Sequence, residues 1–346
     1  MAEPLPAGLA EWLGELDRGV EEELGRWPWE ALPEMERLVR TQVGRRGKRL
    51  RPMLMFGVVE AFGGDPGRMV PAAVGIELHH LASLVLDDIQ DNAAFRRGAP
   101  AVHVSAGVSS TINLAGIVRT LAYRPLHRSA LVGAAEKLAV RDRADDAAVR
   151  LYLGQSIDIG WLDGWYESLG AYPYERMIAW KTGALFGCAA WIAAYLARVP
   201  EERAGLAEWF GIEAGVLYQL ADDYADFFGT PAAPAPMDDV RAGKPTWPLI
   251  ALHETLTGRG ETKAADAVVR HLREGGTAAA ERISALADRI GLAVTLGDEL
   301  RERAERLLGD AGRLTAGLAT AGDPTALKYV TARLLRARVP GLFPER

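Results

Sequence analysis

Only one cysteine, Cys188, occurs in 346 residues, so no internal disulfide is possible. That usage fits a reducing cytosol, and Cys188 follows Gly187 in an apolar run, as a small buried residue would. Strand-like alternation is almost absent, and no short-period repeat is found. No uninterrupted apolar run reaches the roughly 18 residues that a membrane span needs. The opening Met-Ala-Glu-Pro-Leu-Pro lacks the basic and apolar regions of a signal peptide. The expectation is a soluble, cytoplasmic protein with no membrane span. Positive charge is not in excess: 40 Lys and Arg stand against 46 Asp and Glu, a net charge of −6. That argues against a nucleic-acid partner, while a local basic site could still grip a small polyanion. No grouping of Cys with His suggests zinc.

What the chain does have is helical periodicity nearly throughout. Hydrophobic residues make up 49% and charged residues 25%, enough for a sizeable core. The pattern predicts an all-α protein, one helical domain over 1–346, with helices at 8–25, 34–46, 50–63, 68–92, 108–125, 130–161, 173–197, 201–228, 244–257, 261–274, 277–291, 294–318 and 324–337. Gly63-Gly64-Asp65-Pro66-Gly67, Gly98-Ala99-Pro100 and the stretch from Thr230 to Pro236 punctuate it.

Within this apolar frame stand two aspartate-rich clusters, Asp87-Asp88-Ile89-Gln90-Asp91 and Asp222-Asp223-Tyr224-Ala225-Asp226. Asp is a mediocre helix former, and like charges at i,i+4 destabilise a helix by a few tenths of a kcal/mol. At 100° per residue, Ile76, His80, Ser83, Leu84, Asp87 and Asp91 share one face, apolar below and acidic above. Ile212, Gly215, Val216, Gln219, Asp222, Asp223 and Asp226 repeat the arrangement. Two carboxylates about 5 Å apart repel by roughly 3 kcal/mol at an effective dielectric of 20, which a cleft tolerates only with a counter-charge. Magnesium suits that role, because it takes hard oxygen ligands from one or two carboxylates and completes its shell with water and phosphate. Basic residues are grouped nearby in sequence: Lys48 and Arg51, Arg96 and Arg97, Lys181, and Arg241 with Lys244. Arg and Lys beside Mg-type carboxylates point to a polyphosphate substrate.

Together these residues resemble the trans-prenyl diphosphate synthases, or polyprenyl synthetases, and look closest to the geranylgeranyl type. The resemblance runs from about Gly47 to Pro248 through Gly47-Lys-Arg-Leu-Arg-Pro52, Glu77-Leu-His-His80, Asp87 to Asp91 with Arg96-Arg97-Gly98, Gly154-Gln155-Ser-Ile-Asp158, Lys181-Thr182, Tyr218-Gln219-Leu-Ala-Asp222 to Asp226, and Gly243-Lys244-Pro-Thr-Trp-Pro248. It implies an isoprenoid-synthase-type helical bundle with a deep central pocket, usually a homodimer. It also implies Mg²⁺, three ions per active site with substrate bound, ligated by Asp87, Asp91 and Asp222, with Asp88, Asp223 and Asp226 ligating further or supporting. Arg96 and Lys181 would hold an allylic diphosphate. Lys48, Arg51, His80 and Arg97 would hold isopentenyl diphosphate, and Thr182, Gln219 and Lys244 would be polar groups lining the pocket. Ala82 and Ser83, small residues just below the first Asp pair, offer no aromatic plug that would stop growth at C15, so C20 is expected in preference to C15, with C15 or longer products as alternatives.

The chain departs from the pattern in places. No Lys or Arg occurs between Asp226 and Arg241, where a lysine is usual. Leu86 stands where a histidine is common, and Gly116-Ile117 where Gly-Asp is. Nine tryptophans are many, and aromatic faces can stabilise carbocations. A terpene cyclase or unusual-coupling enzyme on the same fold, and a non-catalytic regulatory subunit, therefore stand as alternatives to an elongating prenyltransferase. Against a cyclase stands the complete second diphosphate set of Lys48, Arg51, His80 and Arg97; against a subunit stand two intact acidic motifs.

Overall fold

The computed structural model describes residues 5–45, 47–230, 235–316, 322–336 and 338–339. The expected positions 46, 317–318 and 337, the loop residues 231–234 and the first four residues lie outside that set.

Each of the thirteen expected helices is present, with ends moved by a few residues. Proline accounts for some of the shifts. The helix expected from 244 begins at Trp247, with Pro248 in its first turn, where a missing N–H costs nothing. Shorter pieces are added at Val102–Ala106, Arg124–Arg128 and Asp238–Arg241. The only strands among the described residues are Phe95–Arg96 and Ala99–Pro100, paired antiparallel with Arg96 opposite Ala99. Arg97 and Gly98 both have positive φ, 53° and 75°, which closes this two-residue hairpin in the sense that matches strand twist.

The chain forms two compact units, each drawn from three stretches: 1–146, 188–208 and 314–330 in one, and 147–187, 209–313 and 331–346 in the other. In the first unit the helix Val70–Gln90, here the first acidic helix, packs against Ala7–Leu24, Leu50–Ala61 and Val108–Leu121. Leu50–Ala61 is buried at every residue except Arg51 and Glu60, as its all-round apolar sequence requires. In the second unit the largely apolar helix Trp247–Gly258 and the amphipathic helices Thr262–Glu274, Gly276–Ile290 and Leu292–Arg313 pack in succession. The second acidic helix, Glu201–Phe228, belongs to this unit from Trp209 onward.

One helix, Tyr174–Leu196, is long and apolar enough by composition to cross a membrane. Its most apolar window is 83% buried within the protein, the pattern of a core helix.

Candidate active site

In the first acidic helix the predicted stripe is the helix's open face from His80 upward, while Ile76 at its lower end is fully buried. His80, Ser83, Leu84, Asp87 and Asp91 are half-buried, whereas Leu81, Ala82, Val85 and Asp88 point into the core. The cluster is thereby divided. Asp87 and Asp91 stand on the open side, and Asp88 is only 1% exposed. The hairpin after the helix returns Arg96 to this pair: its Nε donates to Asp88 Oδ1 at 2.5 Å and its Nη2 to Asp87 Oδ2 at 3.3 Å. Burial raises the Asp88 carboxyl above its usual range despite the pull of Arg96. Asp88 Oδ2 is buried and accepts no hydrogen bond from the protein.

Close by in the same unit, the loop before Leu50–Ala61 turns through Arg49, whose φ is 52°. This conformation is held from inside: Arg49 donates to Glu77 Oε1 at 2.5 Å and Asp17 Oδ1 at 3.0 Å. The anchored loop presents Lys48, exposed, and the first turn of the helix after it carries Arg51, half-buried. Arg97 reaches the same loop, where Nη1 donates to the Arg45 carbonyl and its guanidinium lies where a Cβ on Gly47 would be. His80 feels these charges. Burial first, then Arg51 and Arg97, hold its pKa well below the usual value, so it is neutral at pH 7.

The second acidic helix divides its carboxylates the same way. Asp222 and Asp226 are half-buried, and Asp223 is 4% exposed. Asp223 accepts three hydrogen bonds, from Tyr174 Oη, from the Trp247 backbone N–H at 3.0 Å and from Gln219 Nε2 at 2.9 Å. Burial nevertheless pushes it up to about 6. Asp226 accepts the backbone N–H groups of Asp238 and Asp239 at 3.1 and 3.3 Å, and burial again raises it. Asp222 lies 2.8 Å from the Arg338 Nε.

Lys181 and Thr182 sit in a π-helical turn, Ala179–Gly183, inside Tyr174–Leu196. Such a turn re-aims side chains within a helix. Glycines let other helices come close to it. A Cβ on Gly154 would strike the Lys181 backbone, and one on Gly215 would come within 2.7 Å of Gly183 Cα. That approach puts Thr182 Oγ1 against Gln219 Oε1 at 2.9 Å. Lys181 Nζ donates to Asp158 at 2.6 Å, with Lys244 Nζ 3.8 Å from the same oxygen. Burial would raise Asp158, but the two ammonium charges outweigh it and hold the carboxyl below its usual range.

Among the described residues, no three carboxylate, imidazole or thiolate groups converge as a closed ligand set. Mg²⁺ takes few protein ligands and leaves positions for water and phosphate. The buried, unpartnered Asp88 Oδ2 also suits a nearby cation.

Several contributors had no role in the sequence reading: Glu77, Asp158, Tyr174, the backbone of Asp238 and Asp239, and Arg338. Glu77 and Asp158 were findable, because a carboxylate inside an apolar helical run must have a partner. The others depend on approaches between residues 12 to 116 apart, which no local pattern encodes.

Residues 32–286 match the family model for polyprenyl synthetase. A geranylgeranyl diphosphate synthase of Mycobacterium tuberculosis H37Rv is 32% identical over 79% of this chain and 78% of its own. A geranylgeranyl diphosphate synthase of Methanosarcina mazei is 30% identical over 70% of this chain and 77% of its own. Among solved structures, geranylgeranyl pyrophosphate synthetase from Pyrococcus horikoshii superposes with a TM-score of 0.80 at 25% identity, covering 95% of this chain and 97% of that one. The all-α fold is thus the isoprenoid-synthase fold. The chain belongs to the polyprenyl synthetase family, and it is a prenyltransferase of the trans-prenyl diphosphate synthase kind.

Proposed function

We propose that the protein condenses isopentenyl diphosphate with an allylic prenyl diphosphate in the presence of Mg²⁺, giving a short-chain trans-prenyl diphosphate, C20 in preference to C15. The observation that carries this reading is the division of both Asp clusters. Each keeps carboxylates half-exposed (Asp87 and Asp91; Asp222) and holds others against fixed donors (Asp88; Asp223 and Asp226). A decorative acidic surface would have no use for the fixed donors.

Asp87, Asp91 and Asp222 would hold Mg²⁺, three ions per active site with substrate bound, while Asp88, Asp223 and Asp226 fix their helices' last turns. Bound Mg²⁺ would supply the charge that stabilises pyrophosphate as the allylic C–O bond ionises. Arg96 and Lys181 hold the allylic diphosphate, each aimed by its own carboxylate partner, Asp88 or Asp158. Lys48, Arg51, His80 and Arg97 hold isopentenyl diphosphate. His80 acts as a neutral donor beside cations, so it adds a hydrogen bond without adding charge. Thr182 and Gln219 are oriented through one another, and Lys244 through Asp158, as polar groups near the reacting ends. Leu84 and Ser83 continue the open face below the carboxylates and keep water from the cation. The proton lost at the end goes to the departed pyrophosphate, because no strong protein base accompanies the carboxylates.

The tryptophans do not favour a cyclase. Trp161 Nε1 donates to the Gly243 carbonyl at 2.8 Å, and Trp191 stacks on Tyr195 with Arg143 over its ring. These rings are used in packing. The protein works as a homodimer in the cytoplasm. Support for pairing comes from Val104, Val108 and Ile112, exposed apolar residues four apart on Val102–Ala106 and Val108–Leu121.

The test is incubation with Mg²⁺ and geranyl, farnesyl or geranylgeranyl diphosphate, with and without isopentenyl diphosphate, and identification of products by mass. A longer diphosphate only when isopentenyl diphosphate is present is the expected result. A hydrocarbon or alcohol formed without it would replace this reading with a cyclase, and no turnover in any arm would favour a regulatory subunit. Asp87→Ala should lower kcat by roughly 100-fold or more, the scale of losing one charge-stabilising group. Unchanged turnover in a folded Asp87→Ala protein would make the acidic helix decorative.

A further inference from the structure

The second acidic cluster has no Lys or Arg in the chain that follows it, from Phe227 to Val240. A cation reaches it from elsewhere. Arg338, beyond the last helix Thr325–Arg336, places Nε 2.8 Å from Asp222 Oδ1 and 2.9 Å from the hydroxyl of Tyr218. Its guanidinium also lies over the Tyr218 ring, 5.1 Å from the centroid. Tyr218 is one helical turn before Asp222 on the same helix, and the three side chains form one contact. The pair is accessible, with side chains 36% and 35% exposed, so solvent screens it and it is easily exchanged.

We propose that Arg338 is a diphosphate-binding residue on the Asp222 side of the site, supplying the cation that the 227–240 segment lacks. This rests on the prenyl-transfer reading above. Asp222 cannot give the same oxygen both to Arg338 and to a divalent cation. When Mg²⁺ and diphosphate arrive together, the carboxylate passes to the metal and the guanidinium turns to the diphosphate oxygens. A guanidinium matches that geometry with paired donors, and Tyr218 keeps the arm within reach through its ring and hydroxyl. Before substrate arrives, the same arginine holds the place of the cation and relieves repulsion among Asp222, Asp223 and Asp226.

Calorimetric titration of the full chain with MgCl₂ alone, and with inorganic pyrophosphate in saturating MgCl₂, separates the possibilities without turnover. In Arg338→Gln, affinity for magnesium pyrophosphate should fall roughly ten-fold or more, while affinity for Mg²⁺ alone stays level or rises. Arg338→Lys should recover part of the loss. In steady-state assays the KM for the allylic diphosphate should rise and that for isopentenyl diphosphate should not. Unchanged or tighter pyrophosphate binding in Arg338→Gln overturns the proposal and leaves Arg338 as a plug. Equal losses in the Gln and Lys variants, with a lowered melting temperature, also overturn it and make the arginine structural. If the unaltered protein does not bind magnesium pyrophosphate, the prenyl-transfer reading falls too. If it binds and elongates while Arg338→Gln matches it, only this proposal falls.

Discussion

His79 is 2% exposed, neither ring nitrogen makes a hydrogen bond, and its ring meets Tyr123 edge-on at 6.1 Å. Burial first, then the charge of Arg119, lowers its pKa to about 4. The sign follows from proton counting. Between pH 6.5 and 4 the unfolded chain binds a proton that the folded one refuses, so this residue's contribution to stability is present above pH 6.5 and is lost as pH falls through that window. The full difference is about 3 kcal/mol at 1.36 kcal/mol per pKa unit. Urea midpoints measured from pH 7 to 4.5 should therefore fall more steeply for the unaltered protein than for His79→Leu; parallel curves would mean that His79 is not responsible. One turn above, Ser83 is half-buried on the open face and donates to the His80 carbonyl at 2.8 Å, whereas Ala82 is buried. Of the two small residues, only Ser83 lies on the open face, so in the proposed reading it is the one that would limit product length. Ser83→Phe should shift the product toward C15 by mass spectrometry, and an unchanged C20 product would move the length limit elsewhere. At this scale residue type and helical face were legible from the sequence, apart from Ile76, which is buried. The helical wheel already set Asp88 beside the face that carries Asp87 and Asp91, but it left Asp222 and Asp223 on one stripe, because neighbours 100° apart on a wheel can fall on opposite sides of a packing boundary.

Where helices cross, backbone geometry decides what the site residues can reach. Gly154 lets the helix Ala134–Leu162 come against the backbone of Trp180 and Lys181, and Gly183 with Gly215 does the same for the second acidic helix. A Cβ at Gly154 has nowhere to go, since what it meets is main chain. Gly154→Ala should destabilise the fold by about 1–3 kcal/mol, as overpacking does. It should also displace Lys181, raising the KM for the allylic diphosphate several-fold. Thermal melts with steady-state kinetics check both, and a variant unchanged in each would mean that the helices separate freely. Helix existence was legible from apolar period alone, including the helix that carries Lys181. The π turn within it was not, because it arises from those close approaches and leaves no mark on the period. The Arg97-Gly98 turn was legible only as a break. Its positive φ values, and the return of Arg96 to Asp88, come with the hairpin.

For the molecule as a whole, the chain interleaves between two units, so neighbours in sequence are not always partners in packing. Arg49 illustrates this. It reads as part of a basic run, yet it is committed to Glu77 and Asp17, 28 and 32 residues away, whereas its neighbour Lys48 is exposed. The exposed apolar positions Val104, Val108 and Ile112 belong to this scale as well, as the face that the proposed homodimer would cover. Ile112, 51% exposed, can change without disturbing the core. Ile112→Arg should convert a dimer to a monomer in sedimentation velocity at micromolar concentration, with the circular dichroism spectrum kept. A dimer persisting in that variant would place the contact on another face.

By itself the sequence determined that the protein is helical and which helices carry carboxylates. Its ordered motifs also marked the family, because period and residue type are local quantities. Only the tertiary structure decided which carboxylates stay open and which are locked. It also assigned Asp158 to Lys181 and Lys244, and placed Arg338 beside the acidic cluster whose own loop has no cation. Each of those depends on burial and on approaches between distant segments, and a charge at a few ångströms acts the same however far along the chain it lies.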